Sequence, residues 1–389
     1  MEKTRNRLCS PALARLLLLT AVLFSYAMFQ GGFVSWFLFY SFLPFGLYGV
    51  FIAIYPLGRA AVRRTVPAGR RYWAGDRIPV TAHIDLPWPI PLAAVAVAEG
   101  KQDGGAMLAW PLRRRLVCTW SLSLPRGRHS LDTIRLEVSD AFGWVHKTAS
   151  FHAPCTVIVY PRYIEWPAEA VREWFAHGKA ARPIPLHRDM AVAAGAREYA
   201  PGDKMSWVHW KASARRQELM TKEFDEQRND DWIVVLDGAP SRSFEELVTL
   251  AASVAKALID EGVPVGLLVA GKERSFVKPR RHDEQWQSLL LKLAEANDDR
   301  NEPLARVMSE EINGRTAAGC IMVTSSLSAE WVGQLREMAS KRRVVLYVVS
   351  DKWGDDEQNA ADRLRHSGVY VSHIAPHTLQ TVWQGGKEK

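Results

Sequence analysis

The sequence predicts three parts: an N-terminal two-helix transmembrane hairpin, a β-sandwich module, and an α/β domain with a doubly wound sheet of mostly parallel strands. Three observations carry this. Two apolar runs open the chain, each close to the roughly 20 residues that cross a bilayer. Short stretches then alternate apolar and polar residues, the period of a half-buried strand. From Trp232 onward, continuous apolar runs alternate with segments of helical period, the pattern of buried strands and crossover helices.

The hairpin is expected over residues 1–58, with apolar segments at about Pro11–Phe29 and Phe33–Tyr55. Lys3, Arg5, Arg7 and Arg15 lie before or at the start of the first. Arg59, Arg63, Arg64, Arg70 and Arg71 follow the second. The Gln30-Gly31-Gly32 link is short and uncharged, so the positive-inside rule keeps both termini of a multi-pass membrane protein in the cytoplasm. Arg15 snorkels to the interface, and Tyr26, Trp36 and Tyr40 suit the far one. The competing reading is a cleaved signal peptide, imitated by the basic start and Ser25-Tyr26-Ala27. The second segment would span the bilayer in either case.

The β-sandwich module is expected over residues 63–161. Ile78, Val80, Ala82, Ile84 and Leu86 face one way, while Arg77, Thr81, His83 and Asp85 face the other. Leu116, Cys118, Trp120, Leu122 and Leu124 repeat the alternation. The Pro125-Arg126-Gly127 turn, a run at Ile134, Leu136 and Val138, a turn at Asp140–Gly143 and Val157–Tyr160 complete a series of short strands. A proline-containing linker and a dense polar motif are expected over 162–230, with a short helix near Ala168–Ala176.

The α/β domain is expected over 231–383. Trp232–Leu236, Val263–Val269, Ile321–Val323 and Val344–Val349 read as buried strands, and Val369–Ile374 as an edge strand. Helices are expected at Phe244–Ile259, Gln285–Ala296 and Ala329–Ser340. Ligands of such sheets sit at the carboxyl ends of strands, here Asp237-Gly238, Thr324-Ser325-Ser326 and Ser350-Asp351. Helix capping by the same Ser and Asp residues is the alternative.

Composition narrows the chemistry. The 389 residues carry a formal net charge of +8, and much of the excess flanks the apolar segments, where a membrane surface accounts for it. No nucleic acid partner is expected, because Glu198, Asp203, Glu218, Glu223, Asp225 and Glu226 interrupt the basic, tryptophan-bearing motif. The four cysteines, Cys9, Cys118, Cys155 and Cys320, are scattered, with no metal-site spacing, which fits a reduced compartment.

The motif runs from Arg197 to Gln227. Pro201-Gly202-Asp203 reads as a turn, and Trp207 and Trp210, three apart, are expected on one helix face. Three readings stay open. A structural staple pairs Arg197 and Arg215 with Asp203 and Glu223 while the tryptophans pack between domains. A binding site uses His209, Lys211, Arg215 and Arg216 to hold an acidic partner segment or phosphorylated ligand. A hydrolase-type enzyme uses His209 as general base beside Ser213, oriented by Asp203.

Arg197-Glu198-Tyr199 with Gly202-Asp203, then Val208-His209-Trp210-Lys211-Ala212-Ser213-Ala214-Arg215, then Lys222-Glu223, resembles the domain-of-unknown-function family 58. Arg126-Gly127, Asp140-Ala141-Phe142-Gly143 and Val159-Tyr160-Pro161 extend the resemblance from the hairpin onward. The resemblance implies a bacterial membrane-anchored protein whose α/β domain is von Willebrand factor A-like. The family's genes commonly neighbour MoxR-type AAA+ ATPases and transglutaminase-like membrane proteins. It therefore implies an adaptor or scaffold for an ATPase chaperone system, acting in maturation of an envelope protein or complex. The bilayer is a further partner.

Two departures from the family pattern matter. Many members carry a basic residue near the position of Ser206, so an anion site there has one charge fewer. Metal-binding A-domains hold Mg²⁺ with Asp-x-Ser-x-Ser plus a Thr and an Asp from later loops. Here the run is Asp237-Gly238-Ala239-Pro240-Ser241, with Thr324-Ser325 where the later Asp would stand. The resemblance thus implies at most a degenerate Mg²⁺ site at Asp237, Ser241 and Thr324, and no other cofactor.

Overall fold

The computed structural model describes residues 11–67, 69–90, 93–99, 107–109, 113–140, 146–166, 193–199, 205, 208–224, 231–280, 283–312, 314–315 and 317–378. The chain divides into two units, Met1–Tyr160 and Pro161–Lys389. The expected helix near 168–176 lies outside the described residues.

In the first unit, α1 (Pro11–Gln30) and α2 (Phe33–Ile54) pack against each other. Gly31 makes the connection with φ +62, a conformation that costs glycine little, and donates its N–H to Ala27. Close approach depends on small residues. A Cβ on Gly46 would stand 3.1 Å from the Thr20 hydroxyl of α1. The other faces are apolar and exposed, as at Phe33, Phe37, Leu47 and Ile54. α2 is long and apolar enough to cross a membrane, while Ala14–Gln30 is a shorter apolar helix.

After a 3-10 turn at Leu57–Arg59, two sheets follow. One has the order β1 (Ala61–Thr65), β3 (Arg77–Asp85), β6 (Arg115–Ser123) and is antiparallel. The other has the order β2 (Tyr72–Trp73), β8 (His146–Tyr160), β7 (Gly127–Asp140), β4 (Ala93–Glu99), β5 (Met107–Ala109). In β3, β4 and β6 every second residue is buried. Ile78, Val80 and Trp120 of one sheet share a core with Val95, Leu136 and Val159 of the other. Leu16 of α1 and Ile52 of α2 enter the same core, so the helix ends and the sheets form one hydrophobic body.

Two basic residues have structural work in this unit. Arg64, expected with the membrane-flanking charges, points inward instead: its side chain is 1% exposed and pairs with Glu99. It also donates to the carbonyls of Leu131 and Ala153. Burial raises the Glu99 carboxyl pKa even though Arg64 pulls it down. Lys147 of β8 donates to the carbonyls of Ala53 (2.9 Å) and Tyr55 (2.6 Å), satisfying acceptors at the carboxyl end of α2. Burial lowers its pKa.

In the second unit, a six-stranded sheet has the order β13 (Ser275–Arg280), β12 (Val265–Ala270), β11 (Trp232–Asp237), β14 (Gly319–Thr324), β15 (Arg343–Val349), β16 (Tyr370–Ile374). All pairs are parallel except β12–β13. β11, β12 and β14 are buried at every position, as expected of strands covered on both faces. Helices α6 (Leu304–Glu311), α7 (Ala329–Lys341) and α8 (Asp355–His366) share a core with Ile233, Val235, Met322 and Leu346. The period of two leaves Trp232, Val234 and Leu236 to the opposite face. Helices α4 (Phe244–Asp260) and α5 (Asp283–Glu295) pack on each other and on neighbouring strands.

The start of the expected linker belongs to this unit. Ile164 donates its N–H to the Ser253 hydroxyl (2.8 Å), and Tyr163 meets Trp286 edge-on. Around the six-stranded sheet, β13, α6 and α8 escaped sequence reading, as β1, β2, β4 and β5 did in the first unit. The strand β13 is short, half-exposed and carries Pro279, while α6 and α8 are short and polar.

Candidate functional site

The polar motif folds as a hairpin bracketing a short helix. Strand β9 (Ala193–Glu198) pairs antiparallel with β10 (Met220–Phe224), placing Arg197 opposite Thr221, Glu198 opposite Met220 and Gly195 opposite Glu223. Arg197 and Glu223 therefore occupy diagonal positions of one ladder. Gly202 and Asp203 lie outside the described residues, and with them the expected Arg215–Asp203 pairing. Tyr199 is half-buried and donates its N–H to the Leu219 carbonyl.

Helix α3 (Trp210–Arg216) starts one residue after His209. Trp207 lies outside the described residues, and with it the expectation that it shares a helix face with Trp210. His209 is the N-cap: its Nδ1 accepts from the Ala212 N–H at 3.2 Å. Its own N–H donates to the Met220 carbonyl at 2.8 Å. The Ser213 hydroxyl accepts the Met220 N–H (2.9 Å) and lies 3.2 Å from the His209 carbonyl. The His209 backbone and the Ser213 side chain thus join α3 to β10, while the His209 ring caps the helix. The Ser213 hydroxyl meets the backbone of His209 and Met220, not the His209 ring, so the nucleophile–base contact of a hydrolase is not formed. Val208, Met220 and Thr221 are buried beneath this joint.

The outer face of α3 is different. Trp210 is 66% exposed, and Lys211, Arg215 and Arg216 are exposed beside it. Glu198 is exposed as well. The staple expectation packed the tryptophans between domains; within its own unit Trp210 presents its ring outward. An exposed indole among cations can take an acidic or aromatic partner segment through charge pairing and ring stacking.

The second candidate lies at the carboxyl end of β11. Asp237 is 3% exposed. Its Oδ1 meets Arg300 Nε at 2.8 Å as an ion pair and accepts the Ala239 N–H at 3.0 Å. Its Oδ2 accepts the Thr324 hydroxyl at 2.8 Å. Backbone fixes the arginine, whose N–H donates to the Gly238 carbonyl at 2.8 Å. Arg300 Nη1 also donates to the Glu302 carbonyl. Ser241 accepts the Ser243 N–H at 3.2 Å, a local turn bond.

These residues do not fit Mg²⁺. Magnesium needs near-octahedral oxygen donors. Here a guanidinium already holds the carboxylate, Ala239 supplies no hydroxyl, and Ser241 serves its own turn. Among the described residues no group of three His, Cys, Asp or Glu side chains is placed to hold a metal. Sequence reading missed Arg300 because it lies more than sixty residues from Asp237, in a loop with no apolar period.

A model of the family described as "Protein of unknown function DUF58" matches residues 195–359, which include both candidate sites. The chain is also similar to the uncharacterized protein YeaD of Bacillus subtilis (strain 168), with 36% identity over 346 residues. That alignment covers 85% of this chain and 86% of the relative.

Proposed function

The chain belongs to the DUF58 family, and from that premise we propose that it is a membrane-anchored cytoplasmic adaptor or scaffold. Its partner in this reading is a MoxR-type AAA+ ATPase, together with a transglutaminase-like membrane protein, in maturation of an envelope protein or complex. α1 and α2 form a multi-pass anchor in the bacterial cytoplasmic membrane with both termini inside. The two sheets of the first unit make a β-sandwich, a reading their common core favours. The second unit is read as von Willebrand A-like, supported by its strand order and single antiparallel edge strand. The strand-end site works without Mg²⁺.

One observation carries the adaptor reading: the exposed Trp210, Lys211, Arg215 and Arg216 stand on a helix whose inward residues, His209 and Ser213, are spent on structure. The test is affinity purification from gently crosslinked membranes, comparing wild type with Trp210→Ala/Arg215→Ala. An AAA+ ATPase is expected with wild type and lost from the double variant, while the melting temperature stays within a degree or two, because both side chains are exposed. Failure to recover an ATPase with wild type would sink the proposal.

A further inference from the structure

We infer that the Pro87-Trp88-Pro89 turn and the Arg113–Arg115 turn of the first unit form a docking surface for anionic lipid headgroups, beside the carboxyl end of α2. The inference rests on the anchoring reading of α2 and adds a second membrane contact, made by the sheets.

The geometry starts at α2. Ile54, its last residue, is 72% exposed, so the helix keeps an apolar outer surface to its end. Tyr55 follows as the buried cap. Its hydroxyl donates to the Trp88 carbonyl at 2.7 Å, which places the Trp88 turn where the apolar surface stops. The Leu86 N–H donates to the Arg114 carbonyl at 2.7 Å, so the arginine turn is tied to the same place. Both turns thus lie at the level where headgroups surround a spanning α2.

The side chains suit that level. Outside α1 and α2, the exposed large apolar side chains among the described residues of this unit are Trp88, at 57%, and Val117, at 58%. Val117 lies two residues along β6 from Arg115, on the same face. Indole rings are favoured at headgroup depth, where one edge is wet and the body is apolar. Arg113, Arg114 and Arg115 are all exposed. Asp85 lies 3.5 Å from Arg115 and offsets part of its charge, leaving Arg113 and Arg114 in excess. Cations beside a cytoplasmic leaflet are drawn to anionic lipids. An acidic protein could meet the arginines, but it has no reason to sit level with the end of an apolar helix.

Fluorine NMR of the full chain, labelled with fluorotryptophan and held in bilayer discs, tests this. The Trp88 line is identified by its absence from Trp88→Phe. Lipids carrying a nitroxide near the headgroup broaden the lines of tryptophans close to the interface. The expected result is that Trp36 of α2 and Trp88 both broaden in discs containing phosphatidylglycerol, while the buried Trp120 does not. With the nitroxide carried by phosphatidylglycerol in mixed discs Trp88 broadens more than with the nitroxide carried by phosphatidylcholine, and in Arg113→Gln/Arg114→Gln that excess is lost while the Trp36 broadening is kept. A sharp Trp88 line beside a broadened Trp36 overturns the docking surface and leaves the anchor standing. A sharp Trp36 overturns the anchor, and the surface with it. Equal Trp88 broadening from the two labelled lipids, or an excess that persists in the double variant, overturns the assignment to anionic lipid.

Discussion

Arg300 defines the chemistry at the end of β11, because a guanidinium and a divalent cation compete for the same carboxylate. Asp237 is buried and shares its oxygens among Arg300, Ala239 and Thr324. Removing the cation would strand a buried negative charge. Arg300→Met is therefore expected to cost roughly 3 kcal/mol, the low end for a broken buried pair, since the guanidinium is 15% exposed. Denaturant unfolding measures it. Millimolar Mg²⁺ or a chelator is expected to leave the wild-type melting temperature unchanged; a rise with Mg²⁺ would contradict the arginine's role. Glu99 supplies a pH test. Burial raises its folded carboxyl pKa, so its stabilising contribution is full below the unfolded value of about 4.3 and is lost as pH rises through the folded value. Wild-type stability relative to Glu99→Gln is expected to fall between mildly acidic and neutral pH. A difference that grows with pH would mean that Arg64, not burial, governs the group.

The hairpin and the central sheet show how single backbone positions decide whole elements. Helix α3 ends at Gln217, which adopts φ 59 and donates its N–H to the Ser213 carbonyl. A side chain in that left-handed conformation is strained, and glycine is the residue that ends helices there most cheaply. Gln217→Gly is expected to stabilise the unit by about 0.5–1 kcal/mol, read by thermal unfolding. A loss of stability would mean that the glutamine side chain contributes more than its backbone costs. In the sheet, β14 passes directly over the Trp232 ring at Gly319. A Cβ there would stand 2.5 Å from the indole. Gly319→Ala is expected to cost about 1–3 kcal/mol through overpacking. An unchanged denaturation midpoint would show that the indole can move aside.

At the scale of the molecule, the first unit is built so that its helices and its sheets cannot move independently. Lys147 of β8 binds the last carbonyls of α2, Tyr55 binds the Trp88 turn, and Leu16 and Ile52 enter the sheet core. Lys147→Met keeps the aliphatic stem but removes both bonds, leaving acceptors unpaired at a cost of about 1–3 kcal/mol. Faster hydrogen exchange at Ala53–Leu57 in that variant, with the α/β unit unaffected, is the expected signature.

Much of this was legible in the sequence, for identifiable reasons. Alternation revealed β3 and β6, continuous apolar runs revealed β11, β12, β14 and β15, and helical period revealed α4, α5 and α7, because burial on a regular element imposes a regular pattern. The family motif at 197–223 was visible as a density of polar and aromatic residues. What it does locally was not: the N-cap at His209, the Ser213 bonds to β10 and the outward Trp210 depend on a hairpin that short, mixed segments do not announce. Arg64 looked like a membrane-flanking charge and proved to be a core ion pair, and Arg300 gave no signal beside Asp237. By itself the sequence determined which segments bury apolar surface and with what period, since that is a property of neighbouring residues. Only the tertiary structure decided which charges meet, because ion pairs join residues tens of positions apart and no local period records their distance.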